Sequence, residues 1–175
     1  MARYVIWAHG NALTVESPEN LEHQGIHFGW GTDLVLKPGA GSWFHIPLPV
    51  PAVVADYPVY LKKIVLLFET EGNASLKQVH IYDGQAVLQE FNNLPGVDGD
   101  FTSIGPNNTF VLSTPRKVRR GISLSFFIQG TLPQGPERPT ENRLMVPAVG
   151  AEYLVGSSLL VDLARRFDDF IRWDG

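Results

Sequence analysis

Glycine and proline interrupt this sequence at short intervals along its whole length. The 175 residues include 17 Gly and 13 Pro, and these fall between short apolar runs rather than in one tract. Such punctuation favours short strands and turns over long helices. About ten short strands result, and they predict an all-β fold, an antiparallel β-sandwich or jelly roll. A closed barrel is the alternative, because periodicity does not separate the two.

The stretch from Val59 to Gly84 is the strongest strand signal. Ile64 to Phe68 are apolar without a break, which is typical of a strand buried on both faces. Glu71-Gly72-Asn73 supplies residues that tolerate a tight turn. We therefore predict two strands paired as a hairpin at the centre of a sheet. Tyr4 to Ala8 is predicted as a first strand, with Ala12 to Glu16 as its hairpin partner.

The period of the apolar residues changes near the end of the chain. Spacings of three and four, typical of one face of a helix, relate Leu159, Leu160, Leu163, Phe167, Phe170 and Ile171. We therefore predict a β-sandwich domain over residues 1–155 and a C-terminal tail over 156–175. In the tail, Ser158 to Trp173 form one amphipathic helix, packed on the domain or on a neighbouring subunit. A homo-oligomer would then use Leu160, Leu163, Phe167 and Phe170.

Composition excludes several classes of function. The net charge of −4 and the pI near 5.7 argue against general nucleic-acid binding, which needs a basic surface. The absence of cysteine excludes disulfides, thiolate catalysis and Cys-ligated zinc. The start lacks the apolar region of a signal peptide, and no apolar run approaches the roughly 20 residues of a membrane helix. We therefore expect a cytoplasmic protein with no membrane partner.

Several short motifs occur together in the chain. They are Trp7-Ala8-His9-Gly10, Gly29-Trp30-Gly31-Thr32, Trp43-Phe44-His45-Ile46-Pro47-Leu48-Pro49, His80-Ile81-Tyr82-Asp83-Gly84, Gly121-Ile122-Ser123 and Ala148-Val149-Gly150-Ala151-Glu152-Tyr153. This set resembles an uncharacterised bacterial family of small single-domain all-β proteins, a domain of unknown function with W-x-H-G, W-F-H-I-P and H-x-Y-D-G motifs. The resemblance covers roughly residues 1–155 and leaves the tail as an addition. It implies the fold and a bacterial source, and it carries no activity.

Catalytic and metal-binding motifs are sparse. The histidines lack zincin spacing, although a sheet could still bring some of them together; they are His9, His23, His27, His45 and His80. The G-x-S-x-G motif is absent, but a Ser-His-Asp group assembled from distant positions stays open. We assign no catalytic residue and no cofactor. Asp98 and Asp100, in a Gly- and Asp-rich loop, are weak candidates for a Ca²⁺ site, and turn chemistry explains them equally well.

Aromatic residues beside glycine and proline are the more informative group. Aromatic faces stack on sugar rings, and nearby polar side chains supply directional hydrogen bonds. We predict ligand-binding roles for Trp30, Trp43, His45, Tyr82 and Asp83. For any single Trp, a place in the core is the competing interpretation. Arg116 to Arg120, the one basic cluster, is either a solvated turn or a local anion or partner site.

Three functions remain, in this order. The first is a non-catalytic binding module for a carbohydrate or other small ligand. The second is a structural or assembly protein that oligomerises through its C-terminal helix. The third is a small β-barrel cyclase or isomerase with His45 or His80 as acid or base, which no motif supports. The interpretation leans away from an enzyme.

Overall fold

Two antiparallel sheets make up the part of the chain that the computed structural model describes, residues 1–23, 25–132 and 141–156. The strands are β1 (Ala2–His9), β2 (Thr14–Val15), β3 (Ile26–Phe28), β4 (Gly31–Leu36), β5 (Gly41–Leu48), β6 (Val53–Val54), β7 (Tyr57–Glu71), β8 (Ser75–Asp83), β9 (Ala86–Phe91), β10 (Asp100–Phe101), β11 (Thr109–Lys117), β12 (Ile122–Gln129) and β13 (Asn142–Val155). Short 3₁₀ turns cover Gly10–Ala12, Pro18–Asn20 and Pro106–Asn108. The prediction of an all-β sandwich is confirmed.

The larger sheet has eight strands with β7 and β13 paired at its centre. On the side of β13 away from β7, the first half of β13 pairs with β4 and the second half pairs with β1. The strand β3 pairs with the far side of β4. The strands β6, β10 and β11 pair with β7. The smaller sheet has five strands in the order β2-β5-β12-β8-β9.

The core lies between the two sheets. Side chains alternate in direction along a strand, and the inward positions of both sheets are apolar and almost fully buried. The largest of these side chains include Phe44, Phe68, Phe126, Leu61, Ile81 and Leu124. The prediction that the run at Ile64 is buried on both faces also holds for Ile64, Val65 and Leu66.

The predicted hairpin pairing at the centre is wrong, although both strands exist. β7 belongs to the eight-stranded sheet and β8 to the five-stranded sheet, so the turn between them carries the chain across the sandwich. Gly72 in that turn has φ of +75°, and a Cβ there would lie 1.9 Å from the carbonyl oxygen of Glu141. Turn residues therefore indicate that the chain reverses direction, but they do not indicate which sheet the next strand joins.

The first predicted hairpin is wrong for the same reason. β1 pairs with β13 in the eight-stranded sheet, whereas Thr14 and Val15 pair with β5 in the other sheet. Because the described strands form two separate sheets, the architecture is a sandwich and not the closed barrel of the alternative.

The predicted C-terminal helix, Ser158 to Trp173, lies outside the described residues, as does the proposed contact through Leu160, Leu163, Phe167 and Phe170. Within the described ranges, no helix has the length and apolarity needed to cross a bilayer.

Candidate functional site

The outward side of the five-stranded sheet gathers aromatic and imidazole rings from three adjacent strands. On β5, the inward Phe44 and Ile46 are fully buried, so the intervening Trp43 and His45 point outward. The same alternation turns Phe127 of β12 and His80 and Tyr82 of β8 to this side. We call Trp43, His45, His80, Tyr82 and Phe127 the aromatic face.

Register places these rings side by side. Trp43 is directly opposite Phe127, and Ser125 is opposite both His45 and His80. The Trp43 ring centroid lies 4.7 Å from that of His80 and 5.4 Å from that of Phe127. These are the separations of attractive ring pairs. Trp43 is therefore held between two rings and stays half-buried.

Gly41 leaves space for the ring of Phe127 in the aromatic face. A Cβ at Gly41 would lie 2.6 Å from Cζ of Phe127, closer than carbon atoms approach without displacement. The Phe127 ring therefore lies over the backbone of the neighbouring strand. This placement supports Trp43 from one side.

A hydrogen-bonded group fixes His80. Nε2 of His80 lies 2.8 Å from Oδ1 of Asn92, and Nδ1 lies 3.4 Å from the Tyr82 hydroxyl. Because an amide oxygen only accepts, Nε2–H donates to Asn92, and in the neutral ring Nδ1 then accepts from Tyr82. Asn92 in turn donates to Oε2 of Glu90 at 3.2 Å. The imidazole plane is thus set by its partners.

A second group fixes His45. Nδ1 of His45 lies 2.8 Å from Oγ of Ser125, and Nε2 lies 3.1 Å from Oε2 of Glu16. A carboxylate only accepts, so Nε2–H donates to Glu16 and the Ser125 hydroxyl donates to Nδ1 of the neutral ring. The side chain of Glu16 is 58% exposed and that of His45 is 35% exposed. Both groups therefore border solvent.

The Ser125-His45-Glu16 order resembles a nucleophile, base and carboxylate. Acyl transfer also needs preorganised donors for the oxyanion. Ser125 lies in the middle of β12, which pairs with β5 on one side and β8 on the other. The backbone N–H groups around Ser125 are therefore used by the two ladders. The arrangement therefore orients His45 through both of its ring nitrogens.

Three of the predicted ligand residues come together on the aromatic face: Trp43, His45 and Tyr82. Asp83 does not join them. It is 4% exposed and accepts hydrogen bonds from the backbone N–H groups of Arg119, Arg120 and Gly121 at 2.7–2.9 Å. Burial acts to raise the pKa of Asp83, but these backbone donors and the charge of Arg120 hold the pKa below its usual value. The Asp83 carboxylate organises the turn before β12.

Trp30 is also separate from the aromatic face. It lies at the turn between β3 and β4 in the other sheet, 45% exposed, with its ring stacked on Phe28 at 5.1 Å and 7°. Gly31 next to it has φ of +154°, and a Cβ there would lie 2.3 Å from the carbonyl oxygen of Val146. The glycines beside Trp30 correctly indicate a turn, and the turn belongs to a different surface.

The weak Ca²⁺ candidates are both exposed. Asp100 accepts hydrogen bonds from the backbone and hydroxyl of Thr102 at 2.8 and 2.6 Å, so its carboxylate serves a local turn. Within residues 1–23, 25–132 and 141–156, no group of three or more His, Asp or Glu side chains is placed to hold a metal ion.

Sequence reasoning missed Phe127, Ser125, Glu16 and Asn92. Alternation in the strand Ile122–Gln129 turns Ser125 and Phe127 to one side, and that signal could have found them. Glu16 and Asn92 lie just beyond β2 and β9, and only the pairing of strands brings them to the imidazoles.

Solved structures of carbohydrate-binding modules are similar to this chain at a distance. A mutant of the family 29 module CBM29-2 is 11% identical, with a TM-score of 0.39, over 86% of this chain and 91% of that one. The C-terminal family 6 module of a laminarinase from Zobellia galactanivorans is 11% identical, with a TM-score of 0.35, over 86% and 98%. A family 35 module from Paenibacillus barcinonensis is 10% identical, with a TM-score of 0.34, over 90% and 100%.

Comparison with curated proteins gives no match. A family model described as "Family of unknown function (DUF6623)" matches residues 1–129, a range that contains the whole aromatic face. The chain belongs to this family of unknown function.

Proposed function

We propose that this protein is a non-catalytic binding module that takes a neutral saccharide on the aromatic face. The observation that carries the proposal is the row of Trp43, His80 and Tyr82 on one outward sheet surface, flanked by hydrogen-bonding groups. Sugar rings have apolar C–H faces and polar edges, and this surface offers a counterpart to each.

Preorganisation supports the proposal. Trp43 is fixed by His80 and Phe127, and each imidazole is fixed by two hydrogen-bonding partners. Side chains that are already ordered lose little rotamer freedom when a ligand binds. A face of this kind can therefore hold a small ligand without rearranging the sheet.

Charge narrows the ligand class. Glu16 and Glu90 lie at the two sides of the face, next to His45 and Asn92. Carboxylates accept from sugar hydroxyls, and they repel anionic groups. The face therefore favours a neutral saccharide over a sulfated or acidic one.

The test is calorimetric titration of the full chain with neutral oligosaccharides of glucose, mannose, xylose and galactose. We expect one of these to bind, and we expect Trp43→Ala to weaken binding at least about tenfold, the range of an aromatic hot spot. Trp30→Ala is the matched control, because the same truncation is made on the other sheet, and it should change affinity less than about twofold.

Thermal unfolding of both variants separates loss of binding from loss of structure. His80→Asn and Tyr82→Phe give milder changes on the same face if Trp43→Ala does not fold. The proposal is wrong if the wild-type chain binds none of the four sugars, or if Trp30→Ala and not Trp43→Ala abolishes binding.

A further inference from the structure

The outward side of the eight-stranded sheet carries a buried carboxylate surrounded by cations. The side chain of Glu152, on β13, is only 2% exposed. Its Oε2 lies 2.6 Å from Nη2 of Arg3 and 3.2 Å from Nζ of Lys63, and its Oε1 lies 3.4 Å from Nζ of Lys62. Among the described residues, Oε1 accepts no hydrogen bond of good geometry.

Strand register extends this group by one more cation. Glu152 is opposite Val5 of β1 and Lys63 of β7. In the next outward row, Arg3 is opposite Leu154, Leu154 is opposite Tyr60, and Tyr60 is opposite the exposed Lys117 of β11. We call Arg3, Lys62, Lys63 and Lys117 the cationic face; the first three are paired with Glu152, and Lys117 lies in the row of Arg3.

The cationic face has more positive charge than Glu152 can neutralise. The cationic face holds four cations and one carboxylate in a chain whose net charge is −4, and three of these cations, Arg3, Lys62 and Lys63, are paired with Glu152. Burial acts to raise the pKa of Glu152, but the hydrogen bonds and charges of Lys63, Arg3 and Lys62 keep the pKa below its usual value, so the carboxylate stays ionised at neutral pH. An ion pair needs one cation, and three of the four are in surplus.

At another place on the same outward side, a cation is matched by carboxylates. Arg143, on the same outward side, donates to both oxygens of Asp33 and also to Glu71. Its charge is therefore matched by acidic neighbours. Arg3, Lys62 and Lys63 keep 61%, 42% and 25% of their side chains exposed and can reach a ligand.

Trp7 lies on the same outward side of the sheet as these cations, in the row of Arg3 along β1. Trp7, Val5 and Arg3 point outward in succession along β1, about 7 Å apart by strand geometry. A Cβ at Gly150 would lie 2.7–2.8 Å from three atoms of the six-membered ring of Trp7. The ring therefore lies flat over Gly150 and is 42% exposed. Its free side is available for stacking.

We propose that the cationic face binds a sulfated saccharide, with a sugar ring on Trp7 and sulfate groups at Arg3, Lys62, Lys63 and Lys117. A flat aromatic ring two outward positions along the strand from Arg3 is complementary to a saccharide in which one ring stacks and its neighbours carry anions. Glu152 positions the cations and does not touch the ligand. Single-stranded nucleic acid would stack successive bases on several aromatic rings, whereas Trp7 is the one aromatic residue in the outward row Trp7, Val5 and Arg3 of β1. This site is on the opposite sheet from the aromatic face and does not depend on the proposed function.

The test uses dextran sulfate as the probe and neutral dextran of the same chain length as its control, with the full chain at low salt. We expect dextran sulfate to bind, and to bind more weakly as salt is raised, whereas any binding of neutral dextran, through the aromatic face, should not depend on salt. Arg3→Gln combined with Lys63→Gln should weaken binding at least about tenfold. Lys37→Gln combined with Lys77→Gln removes the same charge elsewhere and should have less than about a twofold effect.

Three further variants distinguish lost ligand contacts from lost structure, stacking on Trp7 from binding of sulfate alone, and this face from the aromatic face. Lys117 is not one of the cations paired with Glu152, so Lys117→Gln should weaken binding while those ion pairs stay intact. Trp7→Ala should weaken dextran sulfate binding several-fold and leave the weak affinity for inorganic sulfate unchanged. Trp43→Ala should leave dextran sulfate binding intact, which keeps this test distinct from that of the aromatic face.

The proposal is overturned if dextran sulfate does not bind, or if the Lys37 and Lys77 control weakens binding as much as the Arg3 and Lys63 pair. It is also overturned if Trp7→Ala has no effect, because the site would then recognise a free oxyanion. Tighter binding of a single-stranded oligonucleotide of equal charge through the same residues would assign the face to nucleic acid instead.

Discussion

The two outward faces of this sandwich both present a tryptophan, and each holds it differently. Trp43 is half-buried between His80 and Phe127, so neighbouring side chains fix it. Trp7 lies on Gly150, where the absence of a side chain makes room for the ring, and it is 42% exposed. A ring on a sheet surface is thus positioned by what the paired strands place across from it.

The carboxylates of the two sheets differ in the same way. Asp83, in the five-stranded sheet, is satisfied by three backbone N–H groups. Glu152, in the eight-stranded sheet, is paired with side-chain cations that remain partly exposed. One carboxylate shapes the backbone, whereas the other organises charge at the surface.

The largest expected effect is on Asp83. We expect Asp83→Asn to lower the free energy of unfolding by about 3 kcal/mol, because charge-assisted hydrogen bonds to buried groups are lost. Chemical denaturation measures this, and Asp98→Asn, at an exposed turn position, should change stability by less than about 0.5 kcal/mol. Equal effects at the two positions would show that the backbone donors contribute nothing.

The next effect is on Gly150. Gly150→Ala places a methyl group against the ring of Trp7, and overpacking of this kind costs about 1–3 kcal/mol. Gly29→Ala is the control, since a Cβ at Gly29 meets nothing within 4 Å. The measurements are chemical denaturation and tryptophan fluorescence. An unchanged Gly150→Ala variant would contradict the seating of Trp7 on that glycine.

Glu152 should give a smaller effect that depends on salt. Glu152→Gln removes the charge that holds Arg3, Lys62 and Lys63, and we expect a loss of about 1 kcal/mol at low salt that shrinks at high salt. The loss in Asp83→Asn should be insensitive to salt, because its donors are backbone groups. Denaturation of both variants at two salt concentrations tests the contrast. If the two variants lost stability with the same dependence on salt, the contrast between backbone donors at Asp83 and side-chain cations at Glu152 would be wrong.

The pKa shifts of Asp83 and Glu152 predict how the free energy of unfolding changes with pH. Their pKa values are lowered in the folded chain from ordinary values of 3.8 for Asp83 and 4.5 for Glu152. Their stabilisation is therefore fully present above these ordinary values and is lost as the pH falls below them. Asp83→Asn and Glu152→Gln should each flatten the fall in stability between about pH 5 and pH 3. A curve as steep as that of the wild-type chain would contradict the assignment.

Tyr82→Phe should give the smallest effect. It removes the hydroxyl that donates to Nδ1 of His80 and keeps the ring. Loss of one neutral hydrogen bond is worth about 1 kcal/mol, so neutral-saccharide affinity should fall only several-fold. Titration calorimetry measures this, and a larger loss than that of Trp43→Ala would mean that hydrogen bonding dominates over stacking.

Glycine and proline between short apolar runs were sufficient to predict the all-β sandwich. Trp43, His45 and Tyr82 were predicted as aromatic residues and a polar neighbour near such breaks, and the structure places these three on one face because side chains alternate along a strand; their role in binding stays a prediction. The pairing of strands was not predicted, since Gly72 marks a turn whether the next strand stays in the sheet or crosses the sandwich. His45 contacts Ser125, 80 residues away in the sequence, and Arg3 contacts Glu152, 149 residues away. Patterns within a short stretch of sequence cannot predict contacts over such separations.

The indole N–H signals of the tryptophans test the central proposal most directly. In a two-dimensional ¹H–¹⁵N spectrum of the full chain, neutral saccharide is added and the assigned indole signals are followed. We expect the indole signal of Trp43 to shift and to reach saturation, together with backbone signals of β5, β8 and β12, while the indole signals of Trp7 and Trp30 stay in place. A stationary Trp43 signal together with a shift at Trp7 or Trp30 would contradict it and move the binding site to the other sheet.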